Sequence, residues 1–236
     1  MNYEQLIEYS KNINVTITPE MFLQLKKYER FLVYKNKEFN LTAITSSEEI
    51  VEKHFYDSIL LANTMDFNDV SLIDVGTGAG FPGVVLKIIF PTIKLTLLES
   101  NKKKCGFLTD LVRHLHLDNV NIVNERAEIY AINNREVYDV AVTRAVSSLS
   151  TVLELSTPLV KVNGKIIVMK GKNGLNEFMT LNKRKSMKKL NIHLVSINEE
   201  KLISEEALRY NFVFKKDKKT NKHYPRPYSE IKHRPL

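Results

Sequence analysis

The feature that most constrains the fold of this chain is a glycine-rich stretch, LIDVGTGAGFPG, which begins at Leu72. It holds four of the eight glycines of the chain within eight residues. The apolar run LIDV leads directly into it, and Pro82 suits the first turn of a following helix, where its missing N–H leaves no partner unsatisfied. A strand, a glycine turn and a helix in this order predict a loop whose bare main chain approaches a ligand at the carboxyl end of the strand.

The chain from this loop onward alternates short apolar runs with helical stretches. The runs are SLIDV, KLTLLE, VNIVN, DVAVT, KIIVMK, IHLVSI and NFVFKK. Runs of this length separated by helices are typical of βαβ units. We therefore predict an α/β fold over residues 69–216: a doubly wound, mostly parallel sheet with helices on both faces.

The residues on either side of this domain have a different pattern. The letters TPE at Thr18 are a helix start, and Ser46 with Glu49 three residues later forms a capping box that opens a second helix. We therefore expect an N-terminal helical cap over residues 1–68. Residues 217–236 are polar, basic and rich in proline, and we expect them to form a C-terminal tail.

Composition limits the class of protein. With 236 residues, of which 43% are hydrophobic, the chain can bury one sizeable core and a small appended part. It has no apolar run of the roughly 18 residues that span a bilayer, and its amino end lacks the layout of a signal peptide. The single Cys105 cannot form an internal disulfide. We expect a cytoplasmic monomer with neither a membrane nor a metal ion among its partners.

Charge is distributed unevenly along the chain. Residues 161–236 carry 19 Lys and Arg against 7 Asp and Glu, whereas the first 160 residues carry 16 against 20. Two clusters hold much of this excess, KRKSMKK from Lys183 and KKDKKTNKHYPRP from Lys215. The asymmetry favours a polyanionic partner. A lysine-rich surface without such a partner is the alternative that charge alone leaves open.

Two classes of cofactor fit the glycine loop. The letters from Gly78 to Gly83 match the dinucleotide fingerprint G-x-G-x-x-G, and Glu99 follows about 20 residues later, where an acid that binds ribose belongs. The glycines start earlier, however, at Gly76, after a strand that contains Asp74. A carboxylate there would repel a pyrophosphate but attract the ammonium and sulfonium groups of S-adenosylmethionine. Charge therefore favours the methyl donor.

Further candidate side chains follow the next two strands. Glu99 ends the second apolar run, and its two oxygens can accept both ribose hydroxyls, at roughly 1.5–3 kcal/mol for each hydrogen bond to a charged group. A solvated carboxylate is the alternative. Ala127 and Glu128 follow the third run and could flank the adenine. For Glu128, a role in starting a helix is the alternative.

Six short motifs, in order along the chain, resemble those of one family. They are NLTAI at Asn40, HFYDS at His54, DVGTGAGFPG at Asp74, RAE at Arg126, TRAV at Thr143 and MKG at Met169. Together they resemble the RsmG family, also called GidB, of small-subunit ribosomal RNA guanine-N7 methyltransferases. The resemblance implies a Rossmann-like class I methyltransferase that uses S-adenosylmethionine to methylate N7 of one guanine in the decoding-region loop of 16S rRNA. Its partner would be 16S rRNA or the small ribosomal subunit.

The resemblance also implies particular site residues. The cofactor contacts of the family fall here on Gly76, Phe81, Ala127, Glu128 and Arg144. The second strand ends in Glu99 where many members have Asp, but the longer side chain should still reach the ribose.

Charged residues near the other strand ends are candidates for the substrate. Arg144 follows DVAVT, and we expect it to contact the cofactor, a phosphate or guanine O6, since arginine can bind a guanine edge through two hydrogen bonds. A surface ion pair is the alternative. Lys103 and Lys170 could contact RNA phosphates or could simply be solvated. The polar residues of HFYDS are expected to pin the helical cap against the cofactor domain.

The methyl transfer implied by the family requires the protein mainly to align guanine N7 with the methyl group of the cofactor. Guanine N7 has a free lone pair, so its methylation removes no proton, and holding N7 about 3 Å from the methyl carbon supplies the catalysis. We therefore assign no acid, base, nucleophile or metal. Two other functions remain open at this point: a methyltransferase for a small molecule, and a nucleotide-binding regulator without catalysis.

Overall fold

The computed structural model describes residues 1–181, 183–203 and 207–236, with the backbone alone for residues 183–185. Over these residues seven strands form one sheet: β1 (Ser71–Val75), β2 (Lys94–Glu99), β3 (Val120–Asn124), β4 (Tyr138–Arg144), β5 (Val160–Lys170), β6 (Ile192–Lys201) and β7 (Leu208–Lys216). Their order is β3-β2-β1-β4-β5-β7-β6, and β7 runs antiparallel to both of its neighbours. The other pairs are parallel. The predicted fold class is confirmed.

Helices precede the sheet and lie on both of its faces. They are α1 (Tyr3–Asn12), α2 (Pro19–Asn36), α3 (Ser47–Ile50), α4 (Asp57–Ile59), α5 (Gly83–Ile89), α6 (Lys102–His114), α7 (Ala127–Asn133), α8 (Leu149–Ser156), α9 (Gly174–Thr180), α10 (Lys183–Leu190) and α11 (Tyr228–His233). A π-helical turn, Val51–Tyr56, joins α3 to α4, and 3₁₀ turns occur at Leu60–Asn63 and Thr157–Leu159.

Each face of the sheet buries its own hydrophobic cluster. In β1, Leu72 packs with residues of α2 and α5, whereas the next residue, Ile73, packs with residues of α8. Both side chains are fully buried. Successive side chains of a strand point to opposite faces, so a strand covered on both sides is apolar throughout. The N-terminal helices belong to the first cluster and therefore share a core with the sheet.

The order of the strands fixes where a ligand can bind. The chain moves outward from β1 to β3 and then returns to β4 on the other side of β1. The carboxyl edge between β1 and β4 is therefore a switch point, which is where open α/β sheets bind ligands. The glycine loop follows β1 and Arg144 ends β4, so both lie at this edge.

The cap helices begin where the sequence predicted. The Thr18 side chain accepts a hydrogen bond from the N–H of Met21, and that of Ser46 accepts one from the N–H of Glu49. The second of these helices is not regular, however, because it widens into the π turn at Val51–Tyr56. Such turns are rare in helices and are frequent at functional sites.

The segment 217–236, expected from its composition to be a tail, is folded against the domain. The guanidinium of Arg226 forms two hydrogen bonds, of 2.8 and 2.7 Å, with the carboxylate of Glu154 on α8. Arg135 donates to three main-chain carbonyls of the segment. Ile231 of α11 is fully buried. Polar composition does not reveal this docking, since it depends on ion pairs with residues far away in sequence.

The two basic clusters differ in structure. The first begins at Lys183 in α10, and the side chains of 183–185 lie outside the described residues. In the second, Lys216 is fully buried, and its Nζ donates to the carbonyl of Val160 at 2.7 Å and pairs with Glu136 at 3.3 Å. Burial lowers the pKa of Lys216. This lysine therefore holds the fold together and adds nothing to the surface charge.

We predict that Arg226→Ala lowers the free energy of unfolding by about 3 kcal/mol, because it leaves the fully buried carboxylate of Glu154 without its charged partner. Urea unfolding measures the change. Lys161→Ala is the control, since it removes a pair with Asp139 in which the side chains are 46% and 39% exposed. That loss should stay under about 1 kcal/mol. Equally small losses in both variants would contradict the anchoring role of Arg226.

Candidate cofactor and substrate site

The glycine loop has two different reasons for its glycines. Gly76, Gly78 and Gly80 have φ values of 71°, 61° and 100°, a region that costs other residues about 1–2 kcal/mol. A Cβ at Gly80 would lie 2.7 Å from the hydroxyl of Tyr28, whereas one at Gly78 would meet no described atom within 4 Å. Gly80 is thus required by the cap, and Gly78 borders open space where a ligand can approach the main chain.

Asp74 holds the loop in shape. Its Oδ2 accepts hydrogen bonds from the Thr77 hydroxyl at 2.7 Å and from the N–H of Gly83 at 2.8 Å. Within the described residues, its Oδ1 is buried and has no hydrogen-bond partner. Burial raises the pKa of Asp74 to about 6, although both hydrogen bonds oppose the shift. The sequence predicted a cofactor contact here, and the structure shows that Asp74 organises the loop.

Glu99, at the end of β2, faces the same loop. One oxygen of its carboxylate accepts from the N–H of Gly78 at 3.1 Å and the other from the N–H of Asn101 at 2.8 Å. The side chain is 8% exposed, so it is not the solvated carboxylate that sequence left as an alternative. Each oxygen of a carboxylate has two lone pairs, and one on each remains for a ligand.

A small cavity of about 180 Å³ opens between the ends of β1, β2 and β3. It is lined by Val75, Gly76, Leu98, Ser100, Glu125, Arg126, Ala127, Glu128, Val146, Leu155 and Tyr228. The predicted residues Gly76, Ala127 and Glu128 are therefore brought together. Glu128 lies in the first turn of α7 and pairs with Arg126. Its position therefore agrees with the alternative interpretation, an acid that stabilises the start of a helix. Tyr228 was not predicted from the sequence.

Arg144 ties the sheet to the cap. One of its terminal nitrogens donates to the carbonyl of Lys53 at 2.9 Å and to the carboxylate of Asp57 at 3.2 Å. Its side chain is 17% exposed and that of Asp57 is 5% exposed, so this is not the surface ion pair considered as an alternative. Asp57 also pairs with Arg209 at 3.2 Å. Burial raises the pKa of Asp57, although both arginines oppose the shift.

His54, in the π turn, is the third partner of Arg144. Burial, and then the charge of Arg144, lower the pKa of His54 to about 3, so the ring is neutral at neutral pH. Its Nδ1 lies 3.0 Å from a nitrogen of Arg144 and must accept, since a guanidinium only donates. The proton therefore resides on Nε2, which lies 3.0 Å from the hydroxyl of Thr42.

Phe81 joins the glycine loop to the cap. Its ring stacks on that of Tyr28, with centroids 5.0 Å apart, and on that of His54, with centroids 4.3 Å apart. The guanidinium of Arg144 lies 5.0 Å from the same ring. In addition, Tyr28 donates its hydroxyl proton to the carbonyl of Ala79 in the loop at 2.6 Å. Residues of the cap thus hold the glycine loop in place by ring stacking and by a hydrogen bond.

A larger cavity of about 550 Å³ adjoins the small one, and Val146 lines both. Among the described residues, its lining includes four cationic side chains and two carboxylates. The cationic residues are Lys53, Arg144, Lys170 and Arg209. Ala145, directly after Arg144, has a φ of 55°, so the chain turns sharply at the mouth of this cavity.

The two lysines predicted to contact RNA are placed differently. Lys170 lines the larger cavity, where its Nζ pairs with Glu177 at 2.9 Å. Lys103 is exposed on α6 and lines neither cavity described here. Arg209 was not predicted from the sequence, because it comes at the beginning of an apolar run and the predicted charges follow such runs. It lies near the start of β7, and an antiparallel strand begins at the edge where parallel strands end.

The fold is Rossmann-like, of the kind that S-adenosylmethionine-dependent methyltransferases have. A solved structure of TYW2 from M. jannaschii, in complex with AdoMet, superposes with a TM-score of 0.57 at 14% identity, covering 74% of this chain and 79% of that chain. A similarity at this level of identity shows the fold. The position of the glycine loop, after the central strand and beside Glu99, agrees with the class.

The particular family follows from the sequence comparisons. The family model GidB, rRNA small subunit methyltransferase G, matches residues 21–205. Ribosomal RNA small subunit methyltransferase G of Mycoplasma capricolum is 44% identical over 219 residues, covering 92% of this chain and 93% of the relative. The protein of the same name from Carboxydothermus hydrogenoformans is 37% identical, covering 98% and 99%. The chain belongs to this family of methyltransferases, and the resemblance noted in the sequence is confirmed.

The described residues contain no group of three or more His, Cys, Asp and Glu side chains placed to hold a metal ion. They also contain no helix with the length and apolar character needed to cross a bilayer.

We predict that Gly80→Ala destabilises the protein by about 2 kcal/mol or more, because φ at this position is 100° and the new Cβ would lie 2.7 Å from the Tyr28 hydroxyl. Gly106→Ala is the matched control. It lies in α6, where a Cβ meets no described atom within 4 Å, so it should stabilise by about 0.5–1 kcal/mol. Chemical denaturation measures both. An unchanged free energy of unfolding in Gly80→Ala would show that the cap does not support the loop.

Proposed function

We propose that this protein methylates N7 of a guanine in 16S rRNA, with S-adenosylmethionine as the methyl donor. The observation that carries the proposal is the pair of adjoining cavities at one edge of the sheet, a small one beside the glycine loop and a larger cationic one. The first suits a nucleoside and the second suits a charged polymer. The names of the relatives support ribosomal RNA of the small subunit as that polymer.

The residues proposed to hold the cofactor are Asp74, Gly76, Gly78, Phe81, Glu99, Ala127, Glu128 and Arg144. The site fits the group, because Asp74 keeps a buried oxygen that has no partner among the described residues, and such an acceptor suits an ammonium. The open space at Gly78 lets a ligand approach the main chain. The ring of Phe81 is only 4% exposed, so its contact falls to the main chain.

S-Adenosylmethionine supplies, when bound, a methyl group on a positively charged sulfur. The protein needs to orient the guanine, because N7 already carries the lone pair that accepts the methyl group. Arg144 is held rigidly by the Lys53 carbonyl, His54 and Asp57. We propose that its remaining N–H groups bind guanine O6 or a phosphate. The Nδ1 lone pair of His54 accepts from Arg144 and its Nε2 proton is directed at Thr42, so His54 has no free lone pair with which to act as a base.

The larger cavity and the basic surface are proposed to bind the RNA. Lys170 and Arg209 line this cavity, and Lys103 lies exposed on α6. We take residues 69–216 as the methyltransferase unit, 1–68 as its cap and 217–236 as a segment docked on it. Ribosomal RNA as the proposed substrate supports a cytoplasmic location for the enzyme. We propose that the enzyme acts as a monomer. Because the transfer removes no proton, we also propose that it needs no metal ion.

Methyl transfer itself is the first test. The protein is incubated with S-adenosylmethionine labelled in the methyl group and with under-methylated small subunits or naked 16S rRNA, and the modified base is then mapped. We expect label on guanine N7. Binding of the RNA should weaken with salt, at a slope of roughly −0.7 per neutralised phosphate on single strands. Label on a different atom, or only on small molecules, would overturn the proposal.

We predict that Arg144→Ala abolishes methyl transfer while the fold is retained. Asp57 keeps its pair with Arg209, so its carboxylate is not left alone. A loss of one positioned contact of this kind lowers the rate by about 100-fold or more. Arg113→Ala is the control, because its side chain is 78% exposed on α6. Unchanged turnover in Arg144→Ala, measured with the same RNA, would remove this arginine from the site.

The pKa of Asp74 predicts how cofactor binding depends on pH. Only the ionised carboxylate attracts the ammonium of S-adenosylmethionine, and its pKa is about 6. The affinity should therefore fall as the pH drops through about 6, by about tenfold per unit below it. Calorimetry measures it. Asp74→Asn should bind weakly and lose this dependence, whereas Asp110→Asn, at an exposed position, should keep it.

A further inference from the structure

The C-terminal segment contributes a side chain to the small cavity. Tyr228, the first residue of α11, lines it together with residues that follow β1, β2 and β3. Tyr228 is far in sequence from the other lining residues, and it reaches them because the C-terminal segment docks against α8. Pro227 comes directly before this helix. The residue before it, Arg226, pairs with the fully buried Glu154 and so anchors the start of the helix.

Two further contacts fix the position of Tyr228. The guanidinium of Arg126 lies 4.5 Å from the centroid of its ring, within the range of a cation–π interaction. Arg126 also pairs with Glu128, whose side chain is 12% exposed and lines the same cavity. The backbone two residues before Tyr228 is held by Arg226, whose main-chain N–H also donates to Glu154 at 3.0 Å. The ring is therefore held at the cavity by its contact with Arg126 and by the anchored backbone that precedes it.

We propose that Tyr228 forms an aromatic wall of the adenine pocket, so that the C-terminal segment is part of the cofactor site. The inference rests on the proposed use of S-adenosylmethionine. Glu99 at the end of β2 is the proposed ribose ligand, and β3 is the next strand outward. The base therefore lies beyond the ribose, beside Ala127 and Tyr228.

The lining of this cavity suits a purine. Val75, Leu98, Leu155 and the Tyr228 ring are apolar, and Glu125 and Glu128 provide acceptors for an exocyclic amine at its rim. Nucleobases stack on aromatic side chains, and removing such a ring costs about 1–3 kcal/mol per base. That range corresponds to a loss of affinity of about 5-fold to 150-fold.

Tyr228→Ala, Tyr228→Phe and the unchanged protein are titrated with S-adenosylhomocysteine by calorimetry. We expect Tyr228→Ala to bind about tenfold more weakly or worse, and Tyr228→Phe to bind as the unchanged protein does, because the ring and not the hydroxyl forms the wall. Tyr34→Ala is the control, since Tyr34 is 60% exposed on α2 and lines neither cavity described here. Equal affinity in all of these proteins would overturn the inference.

A fluorescence experiment tests the same contact without relying on a destabilising change. The chain has no tryptophan, so Tyr228→Trp introduces a single one. We expect its emission to change when S-adenosylhomocysteine is added, and that of Tyr34→Trp to stay constant. Constant emission from Tyr228→Trp during binding that calorimetry detects would also overturn the inference. If the unchanged protein binds no S-adenosylhomocysteine, it is the proposed cofactor that fails.

Discussion

The buried carboxylate of Asp74 is the interaction on which the rest of the site depends. Placed within the central strand, it receives the Thr77 hydroxyl and the N–H of Gly83, and so it closes the loop between them into one shape. The loop then presents Gly78 both to open space and to Glu99. An acid at this position costs desolvation, which is visible in its raised pKa. A positively charged ligand nearby would offset that cost, whereas a pyrophosphate would increase it.

The cap is the second requirement, because the loop alone does not place the substrate side. Phe81 extends from the loop into a stack with Tyr28 and His54. The π turn that carries His54 also directs the Lys53 carbonyl at Arg144, as does Asp57 directly after the turn. A regular α-helix would rotate these groups by a different angle per residue. The arginine at the end of β4 is therefore held by a helix that precedes the sheet, and the larger cavity, which Lys53 and His54 line, depends on how the cap is packed.

Much of this could be predicted from the sequence, and the rest depends on contacts distant along the chain. The alternation of strands and helices predicted the sheet. The spacing of about 20 residues between the glycine loop and Glu99 predicted that the two meet, and the N–H of Gly78 donates to Glu99. Arg209 was missed because the antiparallel direction of β7 has no local signature. Tyr228 was missed because the pair between Arg226 and Glu154, which docks its segment, joins residues 72 positions apart.

Val146 lines both cavities, and it follows a residue in the left-handed region of backbone conformation. A side chain shared in this way gives the two compartments a common wall. By thermodynamic linkage, whatever factor an occupant of one compartment imposes on affinity in the other is returned in full. Binding of the methyl donor in the small cavity and of RNA in the larger one would then be linked equilibria that meet at this side chain.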